Sequence, residues 1–170
     1  MEDLGQLVKL RREKLDEFRG MGISPYINRY HVNTTTASLF EKYSGMSKEE
    51  LDEKNSEYIT AGRMMSRRKH GKTTFVNVKD ASGDIQVFVN KNSLGESAYE
   101  IFGKFDIGDI IGVEGRISKT KTGELTLFSS KVTLLSKSLL PLPEKWPGLK
   151  DVELRYRQRY VDLIVNPDVK

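Results

Sequence analysis

Residues 58–137 contain five short segments in which apolar and polar side chains alternate, and this pattern constrains the fold more than any other feature. Alternation with a period of two is typical of β-strands that bury one face. The predicted strands cover residues 58–67, 73–79, 84–90, 110–118 and 125–135. Turns are expected at Ser82-Gly83 and at Thr122-Gly123. The region is therefore predicted to be mainly β.

A helix is predicted at residues 94–105, between the third and fourth strands. Five strands with a helix in that position is the order of the OB-fold, a five-stranded Greek-key barrel. The helix distinguishes this prediction from a plain meander and from an SH3-like barrel. In an OB-fold, oligonucleotides bind to the face of strands two and three, beside the loops that join strands 1–2 and 4–5.

Helices are predicted before the barrel. Residues 2–19 have apolar side chains at helical spacing, and residues 36–43 form a second, shorter candidate. Ser47 and Glu50 have the spacing of a capping box, which predicts the start of a third helix. We therefore predict a helical extension over residues 1–57 and an OB-fold domain over residues 58–137.

Three prolines after the barrel predict a stiff linker over residues 138–150. They are Pro141, Pro143 and Pro147. Residues 151–165 follow with a helical pattern, which Asn166-Pro167 should end. A helix that leads into no further structure suggests that residues 151–170 begin another domain, and that the chain is cut within a longer protein.

The composition excludes several classes of function. The chain has no cysteine and two histidines, so we expect neither a disulfide scaffold nor a metal site, and the composition is compatible with a reducing cytoplasm. No segment approaches the ~20 apolar residues that cross a bilayer. The sequence has no phosphate-binding GxxxxGK[ST] loop and no GxSxG elbow. We therefore expect a non-catalytic binding module.

The net charge is only +4, so the distribution of charge is more informative than its total. Residues 61–72 contain five Lys or Arg residues and no acid, whereas residues 48–57 are rich in acids. A basic patch on a mixed background is typical of a nucleic-acid-binding surface. On charge alone, a solvated basic turn explains the pattern equally well.

Strand alternation places Phe75, Gln86 and Phe88 on the outer face of strands two and three. An exposed aromatic ring there could stack on a nucleobase. The Gln86 amide offers both a donor and an acceptor to the edge of an unpaired base. The alternative is that Phe75 and Phe88 pack under the N-terminal helices or against another domain.

The two loops beside this face supply the other candidate residues. Arg67 and Arg68, in the predicted loop 67–72, are expected to contact phosphates, and Arg63 on strand one could stack on a base or contact a phosphate. In loop 119–124, Lys119 and Lys121 are further candidates for phosphate contacts. Glu124 either accepts a hydrogen bond from a base or balances the local lysines.

Three motifs carry a resemblance to a known family. They are residues 61–68 (AGRMMSRR) followed by Gly71, Lys72 and Phe75; residues 120–125 (TKTGEL); and residues 155–164 (RYRQRYVDLI) after the proline-rich segment. Together they resemble the N-terminal, anticodon-binding region of class IIb lysyl-tRNA synthetases, which are class II enzymes. The RYxDL part is shared with aspartyl and asparaginyl relatives, but Asp-Leu-Ile followed by Asn166 favours the lysine-specific group.

The resemblance implies a partner, tRNA-Lys with a UUU-type anticodon. Phe75 matches the ring that stacks on the central anticodon base, and Gln86 matches the side chain that hydrogen-bonds that base. Arg63, Arg68 and Glu124 match further anticodon-contacting positions. The resemblance also implies that the whole enzyme is a cytoplasmic homodimer that uses ATP and Mg²⁺ to join lysine to tRNA. Its catalytic motifs should lie beyond Lys170, so this fragment should need no cofactor.

Two other functions fit the same fold. One is a general single-strand-binding OB-fold module that tolerates any base sequence. The other is an interaction module that binds no nucleic acid, because the N-terminal helices cover the face of strands two and three. Burial of Phe75 would support the second of these.

Overall fold

The structure is a computed structural model that describes residues 2–142 and 152–166. The helices are α1 Glu2–Gly20, α2 Thr36–Tyr43, α3 Lys48–Lys54, α4 Lys91–Leu94, α5 Glu96–Gly103, α6 Val152–Arg157 and α7 Arg159–Val165. The strands are β1 Glu57–His70, β2 Thr73–Lys79, β3 Asp84–Asn90, β4 Ile110–Lys119 and β5 Leu125–Ser136. Within the described residues, no helix is long and apolar enough to cross a membrane.

The five strands close into a barrel in the order β1-β2-β3-β5-β4, with β4 paired back to β1. Only the contact between β3 and β5 is parallel, and the other four strand pairs are antiparallel. The predicted mainly β fold, a five-stranded OB-fold barrel preceded by helices, is confirmed.

The first strand is longer than predicted, and this corrects the loop expected at residues 67–72. β1 continues to His70, which pairs with Thr73, so the connection to β2 is a two-residue turn at Gly71-Lys72. Gly71 has a φ of +59°, a conformation that glycine adopts without steric cost. Arg67 and Arg68 therefore lie on a strand, where the pleat points them in opposite directions.

A second feature of β1 is a bulge. Met64 pairs with Val78, and the next pair is Ser66 with Asn77, so Met65 is an extra residue in the strand. Before the bulge β1 pairs with β4, and after it β1 pairs with β2 alone. The extra residue reverses which side chains of β1 face outward.

The helix predicted at residues 94–105 corresponds to α5, which is shorter, and the one-turn helix α4 precedes it. The Asn90 side chain caps the start of α4, and Gly95 separates α4 from α5. Gly95 has a φ of +88°, which breaks the helical path. The helix predicted at residues 151–165 is likewise interrupted, at Gln158, and residues 143–150 of the predicted linker lie outside the described part of the chain.

The β2–β3 hairpin has a four-residue loop, residues 80–83, which contains the turn predicted at Ser82-Gly83. The Asp80 carboxylate accepts hydrogen bonds from the backbone N–H groups of Ser82 and Gly83 and from that of Thr36 at the start of α2. Burial opposes ionisation of Asp80, but these hydrogen bonds outweigh it and lower the pKa. One carboxylate thus shapes the hairpin and attaches α2 to the barrel.

The barrel interior and the helices share one hydrophobic core. Val76, Val78, Val87 and Val89 point inward as the alternation predicted, and all four are buried. The helices add Phe18, Leu39, Tyr43 and Leu51 to the same cluster. The predicted capping box of α3 is present, since Glu50 accepts from the Ser47 backbone and Ser47 accepts from the Glu50 backbone.

A buried ionic cluster closes the base of the barrel. The Lys137 ammonium is fully buried and donates to Asp106 Oδ2 at 2.7 Å and to Asp109 Oδ1 at 2.9 Å. Asp106 also forms an ion pair with Lys14 of α1. Burial disfavours the Asp106 carboxylate, but the two ammonium groups outweigh it and lower the pKa of Asp106. The cluster joins α1, the loop before β4 and the end of β5.

Replacing Lys137 with methionine should lower the free energy of unfolding by about 3–5 kcal/mol, because it leaves the fully buried Asp109 carboxylate without its ammonium partner and Asp106 with Lys14 alone. Urea denaturation measures the loss. The control is Lys131→Met, which removes the exposed ion pair with Glu114 and should cost at most about 1 kcal/mol. Equal losses for the two variants would show that the buried cluster does not stabilise the fold.

Candidate nucleic-acid interface

An open groove of about 590 Å³ lies on the outer face of the barrel. Its floor is formed by β2, β3 and β5, one wall by the end of β1, and the other wall by the turn between β4 and β5. Helix α3 reaches its edge through Lys48. The groove thus lies where the sequence predicted a binding face, and it is open to solvent.

Three phenylalanine rings form the floor. Phe75 pairs with Phe88 across β2 and β3, and Phe88 pairs with Phe128 across β3 and β5. The ring centroids are 5.0 Å and 5.1 Å apart, with tilts of 54° and 52°. All three rings are partly exposed, and the N-terminal helices do not bury Phe75. A row of accessible aromatic rings is a surface on which a base can stack.

Gln86 lies in the floor beside these rings, and only 9% of the residue is exposed. Its Nε2 donates to Glu124 Oε2 at 2.7 Å, and its Oε1 accepts from the buried Thr126 hydroxyl at 3.1 Å. The amide is therefore held between β5 and the turn that precedes it. Because an amide has two N–H donors and two acceptor sites, one of each is left over from these contacts.

Cationic side chains line the walls. Arg68 pairs with Phe75 in register and is exposed at one side of the groove, with His70 beyond it. Lys119 and Lys121 lie on the opposite side, and the Lys119 ammonium donates to the Ser44 carbonyl at the end of α2. Positive charge on both sides of an aromatic floor suits a polyanion whose bases point inward.

The structure brings seven of the nine candidate residues to this groove and leaves two elsewhere. The seven are Arg68, Phe75, Gln86, Phe88, Lys119, Lys121 and Glu124. Arg63 precedes the bulge of β1 in the chain and lies outside the groove, near α7. Its guanidinium donates to the Gly108 carbonyl at 2.7 Å. Burial lowers the pKa of Arg63, opposed by the charge of Asp109.

Arg67 points away from the groove towards α5. Its guanidinium donates to the carbonyls of Gly103 and Phe105 at 3.1 Å and 3.0 Å and lies 4.9 Å from the centre of the Phe102 ring. Burial lowers the pKa of Arg67 as well. A cation at the carboxyl end of a helix compensates its dipole and its unpaired carbonyls, so these contacts give Arg67 a structural role.

The sequence prediction missed Lys48 and Phe128 among the groove residues, and it placed His70 beside this face only as part of the loop 67–72. The signal for Phe128 was available, because it follows the buried Leu127 and strand alternation turns it outward. No local signal marks Lys48, which approaches the groove only because α3 packs beside β4. Among the described residues, no group of three His, Asp or Glu side chains is placed to hold a metal ion.

The barrel is similar to a known family of domains. Residues 58–135 match the tRNA_anti-codon family, described as an OB-fold nucleic acid binding domain. The barrel is therefore similar to the members of this family. The matched residues cover the five described strands, except the first residue of β1 and the last of β5, and both walls of the groove.

The whole chain is similar to lysine–tRNA ligases. It is 52% identical to the enzyme of Pelotomaculum thermopropionicum over 99% of this chain and 32% of that protein. It is 50% identical to the ligase of Carboxydothermus hydrogenoformans and 47% identical to that of Bacillus subtilis, again over 99% of this chain. The chain spans about a third of the length of these relatives, their N-terminal region. The resemblance to lysine-specific synthetases is confirmed.

The neighbours Arg67 and Arg68 should respond differently to the same substitution. Arg67→Met removes two charge-assisted hydrogen bonds and a cation–π contact, so it should lower the free energy of unfolding by about 2 kcal/mol or more. Arg68→Met, on the exposed groove wall, should change it by no more than about 0.5 kcal/mol. Urea denaturation compares them, and an equally stable Arg67→Met protein would contradict the structural role of Arg67.

Proposed function

We propose that this chain binds the anticodon loop of tRNA-Lys as the N-terminal part of a lysine–tRNA ligase. The observation that carries the proposal is the groove, in which an aromatic floor, a buried amide and two cationic walls come together. Each component has a separate task in holding a single-stranded RNA loop.

The aromatic floor would hold an unpaired base by stacking. A base on an aromatic side chain is worth ~1–3 kcal/mol, and any base can stack because all have a π face. We assign this task to Phe75 and Phe88, the two rings on β2 and β3, with Phe128 beside them. Stacking alone would give affinity without sequence preference.

Sequence preference needs hydrogen bonds to a base edge. Gln86 is the amide in the floor, and it has one donor and one acceptor site beyond its contacts with Glu124 and Thr126. We propose that these sites pair with the central uracil of the anticodon, which matches the position that the resemblance assigns to Gln86. Reading of base identity would therefore depend on this one side chain, with Glu124 beside it.

The cationic walls would contact the phosphates on either side of the stacked base. We assign this role to Arg68, Lys119 and Lys121, which line the groove. Phosphate contacts position the strand and make affinity depend on salt, without distinguishing one base from another. Arg63 and Arg67, with their guanidinium groups on backbone carbonyls, have other contacts in this chain.

The activity of the whole protein is part of the same proposal. We propose that it is a cytoplasmic, homodimeric ligase that joins lysine to tRNA-Lys with ATP and Mg²⁺, which parts of the ligase outside this chain would bind. Within the chain, we propose a helical extension (1–57), the anticodon-binding barrel (58–137), a linker (138–150) and the start of the catalytic domain (151–170). The fragment itself would bind RNA without catalysis.

A change of the central anticodon base tests sequence-specific reading. Stem-loop RNAs with the anticodons UUU and UCU are titrated with the chain at one fixed salt concentration, and fluorescence anisotropy gives Kd. We expect the UUU loop to bind more tightly by about 1–3 kcal/mol, the value of a bidentate contact to a base edge. Equal affinities would contradict anticodon reading and would favour a general single-strand-binding module.

Truncation of the stacking ring tests the aromatic floor. Phe75→Ala should weaken binding of the UUU stem-loop by about 1–3 kcal/mol in the same assay, because the central base loses its platform. The matched control is Phe40→Ala on α2, a phenylalanine that is 39% exposed and lies outside the groove. Equal losses of affinity for the two variants would show that the RNA does not use the floor.

A further inference from the structure

The Gln86 amide donates a hydrogen bond to the Glu124 carboxylate, and this contact determines how the amide is oriented. We propose that Glu124 is a positioning residue, whose carboxylate fixes the Gln86 amide in the orientation that accepts uracil and rejects cytosine. This inference rests on the proposed function, because it concerns the base that Gln86 faces. It assigns discrimination between two pyrimidines of similar shape to a residue that need not touch either.

The orientation follows from what each neighbour can do. An ionised carboxylate only accepts hydrogen bonds, so the group that faces Glu124 must be the Nε2 donor, at 2.7 Å. A flipped amide would place its oxygen against the carboxylate, and these two acceptors would repel each other because neither carries a proton. Thr126 does not impose this choice, because a hydroxyl both donates and accepts. Glu124 is therefore the residue that distinguishes the two orientations.

The turn between β4 and β5 holds Glu124 in place. The Glu124 backbone N–H donates to the Thr120 hydroxyl at 3.1 Å, and its carbonyl accepts from the Thr120 backbone at 3.0 Å. Gly123, with a φ of +85°, closes the turn by donating to the Thr120 carbonyl. The carboxylate thus approaches Gln86 from a well-defined backbone, although Glu124 itself is exposed.

The two amide orientations read different bases. Uracil presents a donor at N3 beside an acceptor at O4, whereas cytosine presents an acceptor at N3 beside a donor at N4. For a base held in one pose by stacking, an amide that offers its oxygen to N3 pairs with uracil, and the flipped amide pairs with cytosine. An amide free to flip would therefore accept both, and one held by Glu124 accepts only one.

The experiment measures the ratio of the Kd for the UCU stem-loop to that for the UUU stem-loop, in the full 170-residue chain. In Glu124→Gln, the side chain at 124 can donate as well as accept, so both orientations of Gln86 become satisfied. We expect the preference for uracil to fall by about tenfold or more, chiefly through tighter binding of the UCU loop. Glu124→Met, which removes the acceptor altogether, should have the same effect.

The ratio separates positioning from charge. Loss of a negative charge beside RNA strengthens binding of both loops, and this common factor cancels in the ratio. The matched control, Glu49→Gln, removes an exposed carboxylate on α3 and should leave the ratio unchanged. Circular dichroism of each variant confirms that the barrel is folded.

A double-variant cycle decides between positioning and direct contact. In Gln86→Met, which has no amide to orient, Glu124→Gln should cause no further change in the ratio. If its effect persists undiminished there, Glu124 reads the base itself and the inference is overturned. A second combination of results also overturns the inference. In that combination the starting chain prefers uracil, Gln86→Met abolishes the preference, and Glu124→Gln retains it. No preference in the starting chain would refute the proposed base reading, whatever Glu124 does.

Discussion

The bulge at Met65 is the constraint on which the rest of the structure depends. β1 has to pair with β4 along its first half and with β2 along its second half, and a strand serving both must bend sharply between them. The extra residue supplies that bend and closes the barrel. It also reverses the outward side of the strand, which places Arg68 beside Phe75 and turns Arg67 towards α5.

The sequence predicted those parts of the molecule that depend on neighbours along the chain. β2 and β3 begin and end where the alternation indicated, and the floor residues Phe75, Gln86 and Phe88 lie on the predicted face. The α3 capping box is equally local. These features follow from a strict period of two or from a fixed spacing of two side chains, so one sequence contains all the information they need.

The parts that sequence could not predict depend on contacts between distant residues. Arg63 and Arg67 were candidates because they are basic and near Phe75, but the bulge and the carbonyls of residues 103, 105 and 108 determine where they point. The same holds for Gln86, whose partners are 38 and 40 residues away on another strand and its turn. The charge pattern of the sequence identified a basic segment, but it could not show which of its cations have structural contacts and which are exposed.

The N-terminal helices leave the floor of the groove open because α1 and the start of α2 are attached to other parts of the barrel. α1 is attached at the base of the barrel through Lys14 and the Lys137 cluster, and α2 is attached to the β2–β3 loop through Asp80. Among the described helices, α3 reaches the edge of the groove through Lys48, and the end of α2 contacts the wall residue Lys119 through the Ser44 carbonyl. The extension therefore borders the groove along one wall and leaves its aromatic floor uncovered.

The spacing of the three floor rings limits how many bases could stack on this surface at once. Neighbouring centroids are about 5 Å apart because the strands are, and successive rings are tilted by more than 50°. Two bases could not lie flat on adjacent rings at that separation without overlapping. Under the proposed function, the row of rings therefore stacks one base, and the other two bases of the anticodon contact residues away from the rings or are positioned by the bend of the RNA.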